Sequence, residues 1–163
     1  MEAGAELSDC GHYRYLLWRE WDVWPPLGWI MLNPSTADAR EDDPTIRRCI
    51  GFAKRDGYGG IRVVNLYSFR ATNPKMLARA VDPIGKDGDP WGWLQPGVRV
   101  SDVVLAWGSV SKEATRRARN VLSRSEANVR LFCLGTTRNG QPRHPLYIAG
   151  DTPLRPYSVN QEV

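Results

Sequence analysis

The sequence is poor in the residues that build metal centres and covalent frameworks. Its three cysteines, Cys10, Cys49 and Cys133, lie far apart, without the close pairing of a zinc site or a disulfide scaffold. His12 and His144 are the only histidines, so a transition-metal site would need carboxylates or distant thiols, and neither metal nor cofactor is expected. No apolar run approaches the roughly 20 residues that span a bilayer. Residues 1–9 carry Glu2 and Glu6, with no basic segment ahead of an apolar one, and so do not read as a signal peptide. A soluble protein in the cytoplasm, without a membrane or an obligate protein partner, is the expectation.

What is present is globular in composition, with 42% hydrophobic and 25% charged residues. A chain of 163 residues supports one ordinary core. We expect a single domain over residues 1–163, with its core at about 13–148 and a polar, proline-bearing tail at 151–163. The formal net charge is +4 and the cations are mostly arginine. Arg116, Arg117, Arg119 and Arg124 fall in one expected helix, followed by Arg130, Arg138 and Arg143. Such a run reads either as a solvated helix face or as a phosphate-contacting surface.

Residues 13–18 and 27–32 are aromatic and aliphatic and read as two strands, which Trp24, Pro25 and Pro26 would join as an N-terminal β-hairpin. Ile46, Cys49, Ile50 and Ala53 have helical spacing after Pro44, with a stop at the glycines that begin at Gly57. Residues 61–66, 103–106 and 129–134 are further apolar strands, and Ser111 caps a helix through Ser123. Residues 71–101, with Pro74, Pro83, Pro90 and Pro96, are expected to be mostly loop. Within them Asn73 caps a short helix to Arg79, and residues 86–89 are exposed. Four apolar strands separated by crossover-length segments predict an α/β fold: a central four-stranded, mostly parallel sheet flanked by helices.

Ligands of such sheets bind outside the carboxyl ends of the strands. There the sequence places Asn33-Pro34-Ser35, Asn65, Trp107-Gly108 and, beyond the last strand, His144-Pro145. Each has a plain alternative. Asn33 precedes a proline and could simply end a strand, while His144 could be a surface loop residue. Asn65 is harder to dismiss, because an asparagine in a Val-Val-Asn-Leu run must find partners for both ends of its amide. Phe52 and Tyr67 are residue types found more often in cores than on stacking surfaces.

The segments Leu32-Asn33-Pro34-Ser35-Thr36-Ala37-Asp38, Asp43-Pro44-Thr45, Val64-Asn65-Leu66-Tyr67, Ala106-Trp107-Gly108 and Gly140-Gln141-Pro142-Arg143-His144-Pro145-Leu146-Tyr147 resemble DUF1643, a family known mainly as a domain of unknown function. The strand-end order is also distantly similar to the uracil-DNA glycosylase superfamily. That likeness matches Asn33-Pro34 to the superfamily's first motif, Asn65 to its base-reading asparagine and His144-Pro145 to its late motif. It also suggests Phe52 as a stacking aromatic. It implies a uracil-DNA-glycosylase-like fold and a DNA partner.

Breaking an N-glycosidic bond puts positive charge on the sugar and negative charge on the departing base, so a site needs a held water and donors aimed at the base. Asn33 and His144 are the candidate catalytic residues, for the water and the base respectively. Asn65, Phe52, Ser35, Trp107 and Gly108 are the candidate base-binding residues, and Arg116, Arg117, Arg119, Arg138 and Arg143 the candidate phosphate contacts. An amide is a poor general base near neutral pH, which makes Asp38 and Asp42 the carboxylates to watch. The leading expectation is a DNA base-excising N-glycosylase, acting on a base that need not be uracil, in repair or in defence against foreign DNA. The alternatives are a nucleotide or nucleoside hydrolase or transferase on the same pocket, and a non-catalytic binding module for nucleic acid or nucleotides.

Overall fold

The computed structural model describes residues 1–95, 97 and 99–158; Pro96, Val98 and the tail residues 159–163 lie outside this set. Among the described residues the chain is a mixed α/β structure built on one seven-stranded sheet. In chain order the elements are β1 (Glu2–Leu7), β2 (Arg14–Glu20), β3 (Leu27–Met31), α1 (Pro44–Arg55), β4 (Gly60–Asn65), α2 (Pro74–Arg79), α3 (Pro90–Leu94), β5 (Asp102–Leu105), α4 (Lys112–Ser123), β6 (Arg130–Cys133) and β7 (Arg155–Pro156). Spatial order is β1-β2-β4-β3-β5-β6-β7.

The four strands β4, β3, β5 and β6 are mutually parallel, as the sequence predicts. Their side chains alternate between two cores. Trp29, Met31, Ile61, Val63 and Val104 face α1, which offers Ile46, Cys49, Phe52 and Ala53. Ile30, Val64, Val103 and Leu105 face α4 and α3, which offer Ala114, Ala118, Val121, Trp91 and Leu94. Side-chain caps start both long helices: Asp43 Oδ1 accepts from the Ile46 N–H, and Ser111 Oγ accepts from the Ala114 N–H.

Three expectations need correction. The sheet has seven strands rather than four, because β2 and β1 add to one side of the parallel core and β7 to the other. Pairing of residues 13–18 with 27–32 does not occur. Both edges of β3 are taken by β4 and β5, so β2 pairs antiparallel with β4 instead, and the N-terminal hairpin is β1 with β2. The segment between β2 and β3 is no tight turn. It crosses the start of β4, where the Trp21 and Asp22 N–H groups donate to the Gly59 carbonyl and the Gly59 N–H donates to the Pro25 carbonyl. A Cβ on Gly59 would collide with the Trp24 carbonyl, so only glycine permits the crossing. Third, the 71–101 region holds α3 besides the expected α2, with Trp91 and Leu94 buried and the Trp91 indole donating to the Val121 carbonyl at 2.7 Å.

Strand β2 also buries two arginines. Arg19, 2% exposed, pairs with Asp42 at 2.9 Å and donates to the carbonyls of Trp18 at 2.8 Å and Asp38 at 2.6 Å. Arg14 donates to the Ala37 carbonyl at 2.8 Å. Both therefore grip the loop that leaves β3 for α1. Replacing Asp42 by Ala strips the buried Arg19 of its carboxylate and should cost about 2 kcal/mol. Thermal unfolding should then show a midpoint lower by about 4–8 °C; an unchanged midpoint would mean that the main-chain carbonyls alone suffice.

Candidate functional site

A cavity of about 180 Å³ opens at the carboxyl ends of the parallel strands. It is smaller than the roughly 300–1,000 Å³ of drug-sized pockets, and it suits a single ring. Asn33, Ser35, Asn65, Trp107 and His144 all line it, so residues spread over more than a hundred positions meet at one place. The crossing point is topologically fixed: β4 lies on one side of β3 and β5 on the other, which is where open α/β sheets leave a crevice.

Each side chain arrives with a defined hydrogen-bond state. The Asn33 amide nitrogen donates to the carbonyls of Pro34 at 3.1 Å and Ala71 at 2.8 Å, which leaves its oxygen as the end available to a ligand or water. Asn65, at the end of β4, is 4% exposed, and its amide nitrogen has no hydrogen-bond partner among the described residues. Trp107 supplies an aromatic wall, its indole N–H held by Gln141 Oε1 at 2.8 Å. Gly108 does not line the cavity; it makes the turn. Its φ is +74°, its N–H donates to the Pro142 carbonyl at 2.8 Å, and a Cβ there would come within 3.4 Å of the His144 Cβ.

His144 Nδ1 accepts from the Leu146 N–H at 3.2 Å, so the neutral ring carries its proton on Nε2. Burial pushes this imidazole below the ordinary histidine value, with Asp43 pulling in the opposite direction. The segment is anchored from α1, where Arg48 donates to the Pro145 carbonyl at 3.2 Å and Arg55 to those of Gly150 and Thr152.

Two charged lining residues escaped the sequence reading. Arg14 enters from β2, 3% exposed. Its signal was an arginine inside the otherwise aromatic and aliphatic run of residues 13–18. Asp43 contributes the carboxylate on the cavity wall. Asp38 and Asp42 are engaged elsewhere, Asp38 by the Arg40 and Glu41 N–H groups and Asp42 by Arg19.

Phe52 does not reach the cavity. It is 2% exposed in the core, packed against Trp29, with the Arg48 and Arg55 guanidinium groups 5.2 and 5.0 Å from its ring centroid. Helical phase explains this, because α1 turns Phe52 onto the same face as Ile46 and Cys49. Nor is Arg117 a free surface cation: it donates to the carbonyls of Leu66 at 2.9 Å and Gly88 at 3.1 Å. Arg116, Arg119, Arg138 and Arg143 are exposed, Arg143 donating to the Thr136 carbonyl next to the His144 loop.

Residues 14–146 match the family described as "Protein of unknown function (DUF1643)". The chain belongs to the DUF1643 family. Comparison with curated proteins and with solved structures found no match. The DUF1643 span opens at Arg14 and closes just past His144, so it contains every cavity residue named above. A larger hollow of about 870 Å³ lies at the opposite end of the sheet, beside Trp21, Trp24 and Glu2. Among the described residues, none of the unpartnered buried polar atoms belongs to residues lining it, and the DUF1643 span leaves out its Glu2 wall. Among the described residues no cluster of three or more His, Cys, Asp or Glu side chains could hold a metal, and no helix is long and apolar enough to cross a membrane.

Two outcomes follow from this geometry. Asn65→Ala removes a donor that has no partner and forfeits no hydrogen bond, so thermal stability should stay near wild type; a loss above about 2 kcal/mol would mark a structural amide. His144 should titrate below about 6.5 by proton NMR. Because the fold favours neutral His144, its contribution to stability is complete above that pH and is lost as pH falls through the lowered folded value. His144→Asn should flatten that part of the stability profile.

Proposed function

We propose that this protein is a DNA N-glycosylase that excises a single base, one that need not be uracil. The observation that carries the reading is a ring-sized cavity walled by the Trp107 indole, with the unpartnered Asn65 amide donor and the neutral His144 imidazole at its sides. The distant likeness of the strand-end order to the uracil-DNA glycosylases supports the same assignment.

A base inside a duplex must be flipped out to enter such a cavity. Trp107 would then stack on the ring while Asn65 donates to its edge. As the bond from sugar C1′ to the base nitrogen breaks, the electron pair goes to the base, and Nε2–H of His144 donates to the negative charge that develops there. Water adds its oxygen to C1′. Asn33 Oδ1 accepts a hydrogen bond from that water, and Asp43 is the lining carboxylate with the basicity to take its proton. The exposed Arg116, Arg119, Arg138 and Arg143 are the cations available to phosphates.

The test is incubation with genomic DNAs that carry different natural base modifications, with mass spectrometry of released bases and an assay for abasic sites. Asn33→Ala and His144→Ala should each slow release by about 10²-fold with little change in DNA binding. Asn33→Asp should preserve or raise the rate if the pocket tolerates a charge beside a departing anion. Release from free nucleotides alone would select a nucleotide hydrolase, and DNA binding with no product on any substrate would select a binding module.

Neutralising Arg116, Arg119, Arg138 and Arg143 together should flatten the salt dependence of DNA affinity, by up to about 0.9 unit of log–log slope per lost phosphate contact. An unchanged slope would locate the DNA-binding surface elsewhere.

A further inference from the structure

Four buried side-chain nitrogens have no hydrogen-bond partner among the described residues: Arg14 Nε, Asn65 Nδ2, Arg62 Nε and Trp29 Nε1. The first two belong to residues that line the same cavity. They come from neighbouring antiparallel strands, Arg14 at the start of β2 and Asn65 at the end of β4.

A guanidinium taken out of water is costly unless its N–H groups are bonded and its charge is met. Arg14 has one neutral acceptor, the Ala37 carbonyl at 2.8 Å, and among the described residues it makes no ion pair. Burial pushes it down to about 10, Arg19 and Arg70 add repulsion, and Asp43 acts only at Coulombic range; the group is still charged at neutral pH. Asp43 cannot turn wholly toward it, since Oδ1 caps α1. The fold therefore keeps a buried cation with a donor to spare, beside an amide donor in the same state.

We propose that Arg14 and Asn65 form an acceptor-selective end of the cavity that takes a carbonyl oxygen of the bound ring, which makes Arg14 a specificity-determining residue. The proposal rests on the reading that a ring occupies this cavity. A ring amino group at that position would oppose N–H to N–H and leave both protein donors unpaired. A phosphate dianion fits less well, because Asp43 shares the wall and would repel it. A neutral carbonyl satisfies both donors, and its oxygen gains negative charge beside a fixed positive one as a base departs.

Uracil and 2,4-diaminopyrimidine are rings of one size that present carbonyls and amino groups respectively, and calorimetry with the free compounds tests the proposal without any bond being broken. Wild type should bind uracil at least about tenfold more tightly than the diamine. Arg14→Lys keeps a charge but removes the planar Nε–H, and it should lose most of that preference while binding of the diamine changes little. Equal affinity for the two rings, binding of neither, or inorganic phosphate displacing uracil from this cavity would each overturn the proposal. If Arg14→Lys does not fold, the wild-type comparison alone decides. If uracil binds with the stated preference while no DNA yields a free base, the subsite stands and the glycosylase reading fails.

Discussion

Arginine bound to main-chain carbonyls is the interaction on which the carboxyl end of this sheet depends. Loops there have little regular structure of their own, and their carbonyls must be satisfied by something other than a ladder. Arg19 and Arg14 hold the loop after β3 through Asp38 and Ala37, and Arg117 holds the end of β4 through Leu66. Arg48 and Arg55 hold the segment after His144 through Pro145, Gly150 and Thr152. A guanidinium suits this work because its five N–H donors lie in one rigid plane and can serve several carbonyls at once. The cavity keeps its shape because its rims are clamped from three directions.

This use of arginine changes what the net charge of +4 means. Arg14 and Arg19 are buried, Arg62 is directed to the Trp93 carbonyl, and Arg130 is bound to Asp102 through two hydrogen bonds at 2.7 and 2.9 Å. The cations left over for a polyanion are fewer than composition implies, and they are sorted by helix phase. On α4, Arg116 and Arg119 face water while Arg117, between them, turns inward.

The parallel core was legible because its signals are local. Short β-branched runs, a proline at the first turn of α1 and a serine cap on α4 each act within a few residues. Asn33, Asn65, Trp107 and His144 were legible as a set because parallel strands must bring their carboxyl ends to one side. Partner choice was not. Whether β2 pairs with β3 or with β4 depends on how many edges β3 has left, which only the assembled sheet determines. β1 and β7 escaped notice for a related reason, being exposed edge strands with little apolar alternation. Arg14 and Asp43 were missed because a charged residue reads as surface until its surroundings are known. Phe52 went the other way: a resemblance placed it in the site, and the phase of α1 placed it in the core.

The two edge strands also bear on how the molecule meets its own kind. An exposed sheet edge is a template on which a second chain can add a strand. Here β7 is two residues long and contains Pro156, which has no N–H to offer an incoming ladder. At the other edge β1 exposes Glu2 and Glu6, and a second copy laid antiparallel against it would bring carboxylates toward carboxylates. Growth of the sheet into a fibre is thus discouraged at both margins, by a missing donor on one and by charge on the other.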